Sequence, residues 1–273
     1  MKKLGLIAGN GDLPHAVAVE ARSKGYEVIA IGLESLAEST LASVVSEMQW
    51  INVGKLGEII GYLKKSGVKE AVMAGKVPKT LLYKGKITPD LRAVKLLLTL
   101  KDKSDDSILF GIAKELKKDG ISLLNTTDFT TSILTPEGVL TTDSPTEHEW
   151  KDIAFGWNIA KEMGRLDIGQ TVIIRNQAVM AIEAIEGTDE AIRRGGALAG
   201  AGTVVIKVSK PHQDMRFDVP VVGPDTLKAM ISVQARVLAL EARKSILLER
   251  QQISREAQEA GISIVGISDK TIC

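Results

Sequence analysis

Through the first half of the chain, short apolar runs alternate with longer stretches whose apolar residues recur at helical spacing. Leu4 to Ala8, Val28 to Ile31, Met48 to Val53, Ala71 to Ala74 and Ile121 to Leu124 predict buried strands. Leu13 to Lys24, Leu56 to Lys65, Asp90 to Leu100 and Ser107 to Lys118 predict helices, the first two stopping at Gly25 and Gly67. Strands separated by helices connect through parallel crossovers, so this half predicts a Rossmann-like, doubly wound parallel sheet.

The pattern changes after about residue 130. Thr135-Pro136-Glu137-Gly138 is a turn and Val139 to Thr142 is extended. Glu147 to Met163 and Asp189 to Leu198 are helical, while Thr171 to Arg175 and Ala178 to Glu183 flank Asn176-Gln177 as a hairpin. Thr203 to Val208 is a strand, followed by an irregular segment from Lys210 to Gly223. Helices over Asp225 to Gln234 and Leu247 to Ala260, with strands at Val237 to Leu240 and Ile262 to Val265, complete a mixed α/β half. The expected division is an N-terminal α/β domain over 1–131 and a C-terminal α/β domain over 132–273. No Ser/Gly/Pro linker separates them, which suggests abutting domains with substrate in an interdomain cleft that opens and closes.

Composition narrows the classes. Of 273 residues, 44% are hydrophobic and 25% charged, a soluble globular balance. The 35 Lys and Arg against 34 Asp and Glu leave a net charge of +1. That argues against nucleic acid or anionic membrane as a broad electrostatic partner and leaves room for a local basic pocket. Cys273 is the sole cysteine, so an internal disulfide or a cysteine-based zinc site is excluded and a reducing cytosol is expected. The apolar start Leu4 to Ala8 is interrupted at Asn10-Gly11-Asp12 and lacks the form of a signal peptide. No run approaches the roughly 18 apolar residues of a membrane span.

Four segments carry candidate chemistry. Gly9-Asn10-Gly11-Asp12-Leu13-Pro14 follows the first strand and opens the first helix, where glycines and free N–H groups suit a phosphate. The third glycine of a dinucleotide fingerprint and the G-K-S/T end of a P-loop are both missing, so a tight turn capped by Asp12 is the competing explanation. Lys76, after the fourth strand, would lie on the ligand edge of a parallel sheet, or be an exposed turn lysine. Thr188 is a plausible N-cap with Asp189 and Glu190 in the first turn, which capping alone would explain. Lys210 to Pro220 is the most informative stretch. If it is extended, alternation puts Gln213 on one side and Asp214, Arg216 and Asp218 on the other. Two carboxylates so placed could hold Mg²⁺, and Arg216 and Lys210 could bind phosphate. A surface loop with internal Asp–Arg pairs is the alternative. His15, His148 and His212 match no metal spacing, and no G-x-S-x-G is present. The segment from Ser245 to Ala260 resembles a docking or solvated helix.

Taken together, the sequence resembles the LpxI-type UDP-2,3-diacylglucosamine pyrophosphatases of bacterial lipid A synthesis. The resemblance rests on Ile7 to Pro14, Ala74-Gly75-Lys76-Val77, Leu166-Asp167-Ile168-Gly169-Gln170, Ala184 to Asp189 and Lys210 to Gly223. It implies a two-domain enzyme that hydrolyses a nucleotide-sugar pyrophosphate with Mg²⁺, giving UMP and 2,3-diacylglucosamine 1-phosphate (lipid X). It also implies a catalytic aspartate in the C-terminal half, for which Asp214 and Asp218 are the candidates, both as metal ligands and in orienting water. Gly9, Asn10, Gly11, Lys76, Gln170, Thr188, Asp189, Lys210, Gln213 and Arg216 are the expected substrate contacts. A lipid-linked substrate implies a cytoplasmic protein in transient, peripheral contact with the inner membrane. Two rivals remain at this stage. An NAD-dependent nucleotide-sugar dehydrogenase or epimerase would use the early glycine turn, although Glu34 lies three residues beyond Ile31. A non-catalytic UDP-sugar-binding module would bind without turnover.

Overall fold

A computed structural model describes residues 1–78, 88–100, 105–211, 213–217 and 219–272. The chain divides into two compact units, Met1–Thr131 with Met215–Phe217, and Ser132–Asp214 with Asp218–Cys273.

Unit 1 contains β1 (Lys2–Ala8), α1 (Leu13–Ser23), β2 (Tyr26–Leu33), β3 (Glu47–Ile51), α2 (Leu56–Lys65), β4 (Glu70–Ala74), α3 (Leu91–Thr99), α4 (Asp105–Lys118) and β5 (Ser122–Leu123). The five strands are parallel in the order β3-β2-β1-β4-β5. Past their polar first residues the central strands are apolar, because both faces are covered there. Leu4, Leu6, Val28 and Ala30 pack with Val17, Ala18 and Ala21 of α1. Ile7, Ile29 and Ile31 point the other way, toward Ile59, Ile60 and Leu63 of α2. Asp90 accepts from Ala93 N at 2.8 Å and from Gly57 N at 2.6 Å, so one carboxylate satisfies free N–H groups at the start of both α3 and α2.

Unit 2 contains β6 (Gly138–Val139), α5 (Glu147–Arg165), β7 (Thr171–Arg175), β8 (Ala178–Ile182), α6 (Thr188–Ala199), β9 (Val204–Lys207) and β10 (Val221–Val222). There follow α7 (Pro224–Ser232), β11 (Val237–Glu241), β12 (Ile246–Leu247), α8 (Arg250–Glu259), β13 (Ser263–Ile267) and α9 (Asp269–Ile272). Its main sheet runs β6-β13-β11-β9-β7-β8 and is mixed: β9, β11 and β13 are parallel, while β6, β7 and β8 join antiparallel. Thr146 and Glu149 close a capping box at the start of α5, whose Ile153, Trp157 and Ala160 cover one face of the sheet. On the other face lie Ala191 and Ile192 of α6, Leu227 and Met230 of α7, and Ile253 and Ala257 of α8. The β7–β8 turn has Asn176 and Gln177 at φ 51° and 54°, the left-handed pair of a type I′ hairpin.

The α/β class and the two kinds of sheet follow the sequence pattern; several boundaries do not. The second strand runs on to Leu33, because both faces of its end are covered. The expected helix from Leu247 begins only at Arg250: Ile246 and Leu247 pair with Val221 and Val222 instead, and Glu249 turns the chain at φ 45°. Ser245, Ile246 and Leu247 are fully buried, so the start of that segment is core and not a solvated helix. No helix among the described residues is long and apolar enough to cross a membrane.

Close approach of α6 to the sheet depends on small residues. A Cβ at Gly195 would sit 2.7 Å from Ile173 Cγ2 and 2.8 Å from its Cβ, atoms near the backbone that cannot swing away. Gly195→Ala gains up to about 1 kcal/mol of helix propensity and loses roughly 1–3 kcal/mol to overpacking. The expected result is a lower urea midpoint than wild type; an unchanged or raised midpoint would show that the interface can yield.

Candidate functional site

In unit 1, β1 neighbours β2 on one side and β4 on the other, which makes the gap beyond β1 and β4 the topological switch point of the sheet. Ligands of open parallel sheets bind there, outside the carboxyl ends of the strands. Gly9 to Gly11 and Gly75-Lys76 both leave the sheet at this point, and they bond to each other through backbone. Asn10 N donates to Lys76 O at 2.9 Å, Lys76 N to Asn10 O at 2.8 Å, and Gly9 N to Ala74 O at 2.8 Å. Glycine is required on both sides of this seam. A Cβ on Gly9 would meet Lys76 O at 2.7 Å, and one on Gly75, at φ 90°, would meet Gly9 C at 2.7 Å. Asn10, Gly11 and Lys76 are exposed at the seam's outer side. Asp12 occupies the N-cap position of α1 without a side-chain cap bond, so the tight turn is not held in the manner Asp12 suggested.

In unit 2, the carboxyl ends of β9 and β11 and the start of β7 share one edge, since Lys207 is opposite Thr171 and Leu240. Lys207 is buried there, 4% exposed, in an otherwise apolar strand. Its Nζ donates to Thr188 Oγ1 at 2.6 Å and to Thr171 Oγ1 at 3.5 Å, and lies 4.0 Å from Glu183 Oε2. Thr188 Oγ1 in turn donates to Glu183 Oε1 at 2.8 Å. Burial pushes the Glu183 carboxyl up; the Lys207 charge, hydrogen bonds with Thr171 and Thr188 and the Gln170 backbone outweigh it, leaving the carboxyl below the ordinary range. Thr188 is therefore not the N-cap of α6. Gly187, at φ 87°, holds that position, and the threonine hydroxyl is drawn into the Lys207 network.

A second buried carboxylate fixes the loop after β9. Glu241 Oε2 accepts from Ser209 N at 2.8 Å and Lys161 Nζ at 2.5 Å. Gln213 Oε1 then accepts from Lys210 N at 2.7 Å and Ser209 Oγ at 3.1 Å, closing a compact turn just before Asp214. Lys210 Nζ reaches Asp167 at 2.5 Å, and Asp167 belongs to the Leu166 to Gln170 turn. Asp189 accepts from Thr226 Oγ1 at 2.7 Å and ties α6 to α7. Two buried polar atoms at this edge, Gln170 Oε1 and Gln213 Nε2, have no hydrogen-bond partner. Buried polar groups in native proteins are satisfied, so such a cluster marks where water or ligand completes the bonding.

Among the described residues, the stretch from Lys210 to Phe217 is not extended, which corrects the alternation argument. The chain turns through Met215–Phe217, and those residues cluster with unit 1 while Asp214 clusters with unit 2. Thr126 N donates to Met215 O at 3.0 Å, and Phe217 packs edge-on against Phe110 with centroids 5.2 Å apart. The Arg216 guanidinium lies 4.9 Å from the Phe217 ring centre and 5.7 Å from that of Phe110, a cation–π arrangement. Asp218, His212 and Cys273 lie outside the described residues. Sequence reasoning missed Lys207, Glu183, Glu241 and Lys161; the available signal was a charged residue closing each of two otherwise apolar strands.

The Lys207 network makes a test. Glu183→Gln leaves a buried ammonium without its counter-charge and should cost roughly 3 kcal/mol of unfolding free energy at pH 7. Because the folded carboxyl titrates below its unfolded value of about 4.3, its contribution is complete above that pH and fades as pH falls through the lower folded value. The gap between wild type and variant in urea denaturation should therefore narrow in acid. A gap independent of pH would mean Glu183 is not ionised in the folded protein.

Comparison with known proteins agrees with this two-part plan. Residues 3–133 match the family model described as the LpxI N-terminal domain, and residues 136–265 match the LpxI C-terminal domain. A curated protein of Caulobacter vibrioides, named UDP-2,3-diacylglucosamine pyrophosphatase LpxI, is 30% identical over 98% of this chain and 98% of its own. Among solved structures, the biotin carboxylase domain of a thermophilic 2-oxoglutarate carboxylase aligns with 63% of this chain and 34% of its own at 15% identity and a TM-score of 0.27. N5-carboxyaminoimidazole ribonucleotide synthetase of Thermotoga maritima aligns with 66% and 40% at 21% identity and 0.23. The chain thus spans well under half of either, and scores this low establish no common fold. The match at both domains and over the full length of the Caulobacter protein does: the chain belongs to the LpxI family.

Proposed function

We propose that this protein hydrolyses the pyrophosphate of UDP-2,3-diacylglucosamine to UMP and 2,3-diacylglucosamine 1-phosphate, lipid X, with Mg²⁺, in lipid A synthesis. The observation that carries the reading is the end-to-end match to a protein named for that substrate. A water oxygen forms a new bond to one phosphorus, the bridging P–O bond breaks, and the bridging oxygen leaves on the other phosphate. Two phosphomonoesters result from one water.

The residues divide this work in a way that suits a charged, lipid-bearing substrate. With the Gly9 and Asn10 N–H groups bonded across the seam, Gly11 and the open N-terminus of α1 offer backbone N–H groups to phosphate oxygens, and exposed Lys76 beside them offsets charge. In unit 2, Gln170 and Gln213 present unpaired polar atoms, and Thr188 and Asp189 hold α6 against the same edge. Lys210 and Arg216 supply positive charge for the leaving phosphate. Asp214 orients the attacking water, with Asp218 as the second candidate for that role.

Mg²⁺ commonly uses one or two carboxylates, substrate phosphates and retained waters. Among the described residues no group of three or more His, Cys, Asp or Glu could hold a metal. Half-buried Asp214 is a hard oxygen donor of the right chemistry. This donor set fits an ion shared with the pyrophosphate and held by Asp214, and by Asp218 if it joins, and does not fit a dedicated protein cage. When bound, Mg²⁺ supplies neutralisation of the nonbridging oxygens.

One observation favours the dinucleotide rival. With β2 extending to Leu33, Glu34 follows the strand directly, where Rossmann folds place an acid on the ribose. The hydrolase reading accommodates it, because uridine also carries a ribose diol.

Incubation with UDP-2,3-diacylglucosamine and Mg²⁺ should release UMP and lipid X in equal amounts, and EDTA should abolish release. Asp214→Ala or Asp218→Ala should lower kcat by roughly 10²-fold or more, the scale for removing a proton-handling group. Full activity in both variants would remove this site assignment, and binding without UMP release would favour the non-catalytic module. Reduction of added NAD would favour the dehydrogenase.

A further inference from the structure

The ladder between β4 and β5 changes donor at its last rung. Ser122 N donates to Lys69 O at 2.9 Å and Leu124 N donates to Ala71 O at 2.8 Å. A parallel ladder advances two residues on each strand per rung, so the next bond in register would run from Thr126 N to Met73 O. Instead the Thr126 hydroxyl donates to Met73 O at 2.8 Å, and Thr126 N donates to Met215 O at 3.0 Å. Thr126 is 2% exposed, and polar groups in such a place must be paired within the protein. The hydroxyl fills the ladder position, and the amide is left to bind a residue 89 positions further along the chain.

We propose that Thr126 is a positioning residue for Asp214: by taking over the Met73 rung, its hydroxyl releases its amide to fasten the residue that follows Asp214. The bond to Met215 O fixes backbone one residue from that carboxylate. The Phe217 ring against Phe110 and the Arg216 guanidinium near both rings act further along, through side chains. Met73 itself lies two residues before Gly75, so the strand leading into the Gly75-Lys76 seam and the backbone after Asp214 share one support. The demand on position 126 is chemical, because it needs a hydrogen-bond donor on the β-carbon. Serine meets that demand. In Thr126→Val the shape is nearly kept and the donor is lost, so either Met73 O is left unpaired or the amide returns to the ladder and lets Met215 go. The inference rests on the proposed function for the task of Asp214, while the exchange of donors at Thr126 is a separate physical claim.

The test uses the full chain, with Thr126→Val and Thr126→Ser each made in wild type and in Asp214→Ala, at a temperature where circular dichroism shows all of them folded. With UDP-2,3-diacylglucosamine and Mg²⁺, Thr126→Val should lower kcat roughly tenfold and change KM less than about twofold, and Thr126→Ser should keep kcat within about twofold of wild type. In the Asp214→Ala background Thr126→Val should cost less than about twofold, because the group it positions is gone. A second readout needs no turnover. Trypsin under native conditions should cut after Arg216 severalfold faster in Thr126→Val than in wild type or Thr126→Ser, and after exposed Arg165 at one rate in all three. Equal kcat losses in both backgrounds would overturn the proposal, since general destabilisation acts without regard to Asp214. So would a Thr126→Ser variant as slow as Thr126→Val, or a Thr126→Val variant with wild-type kcat and wild-type cleavage after Arg216. If no substrate is turned over, or Asp214→Ala is fully active, the proposed function or its assignment of Asp214 fails. The cleavage rates then still decide whether the Thr126 hydroxyl fastens Met215.

Discussion

A lysine ammonium buried at the end of a sheet strand must have partners, and that requirement organises the candidate site of unit 2. Lys207 ends β9, a strand flanked by neighbours on both sides and covered on both faces. Its charge is met by two hydroxyls and a carboxylate from three other places: Thr171 at the start of β7, Thr188 in the first turn of α6, and Glu183 after β8. Leaving any of these groups unpaired in a low-dielectric interior is expensive, so the network fixes where α6 begins relative to the sheet edge. Glu241 does the same one strand away, holding Ser209 and through it the turn that leads into Asp214. The start of α6 and the turn before Asp214 are therefore both held by buried charge.

Unit 1 reaches a comparable result by a different route. Its switch point is built from backbone, with Gly9-Asn10 and Gly75-Lys76 hydrogen-bonded across a seam too narrow for a Cβ. Backbone N–H groups and a helix N-terminus bind anions with little demand on side-chain identity.

The parallel architecture of unit 1 was legible because the central strands are buried on both faces and the crossover helices carry apolar stripes, as in Ile7 against Ile59, Ile60 and Leu63. The hairpin at Asn176-Gln177 was legible because its turn residues sit between two apolar runs. Leu247 misled because a two-residue strand leaves no periodicity, and its apolar neighbours imitate the start of a helix. Thr188 misled because a cap and a buried hydroxyl relay use the same residue type, and only the tertiary position of Lys207 separates them. Alternation failed over Lys210 to Phe217 because Phe217 and Met215 have partners far back in the sequence, Phe110 and Thr126, which no local pattern records. The glycine and lysine of the switch point were found by position after a strand; their mutual contact came from the order of strands in the sheet.

The central claim is that water attacks a pyrophosphate phosphorus of a lipid-linked nucleotide sugar. Turnover of UDP-2,3-diacylglucosamine in ¹⁸O-labelled water, followed by mass spectrometry of both products, tests it most directly. The account predicts UMP and lipid X, with a single ¹⁸O per turnover located on a phosphate of one of them. Release of UDP with the label on the sugar would place the attack at carbon and contradict the account.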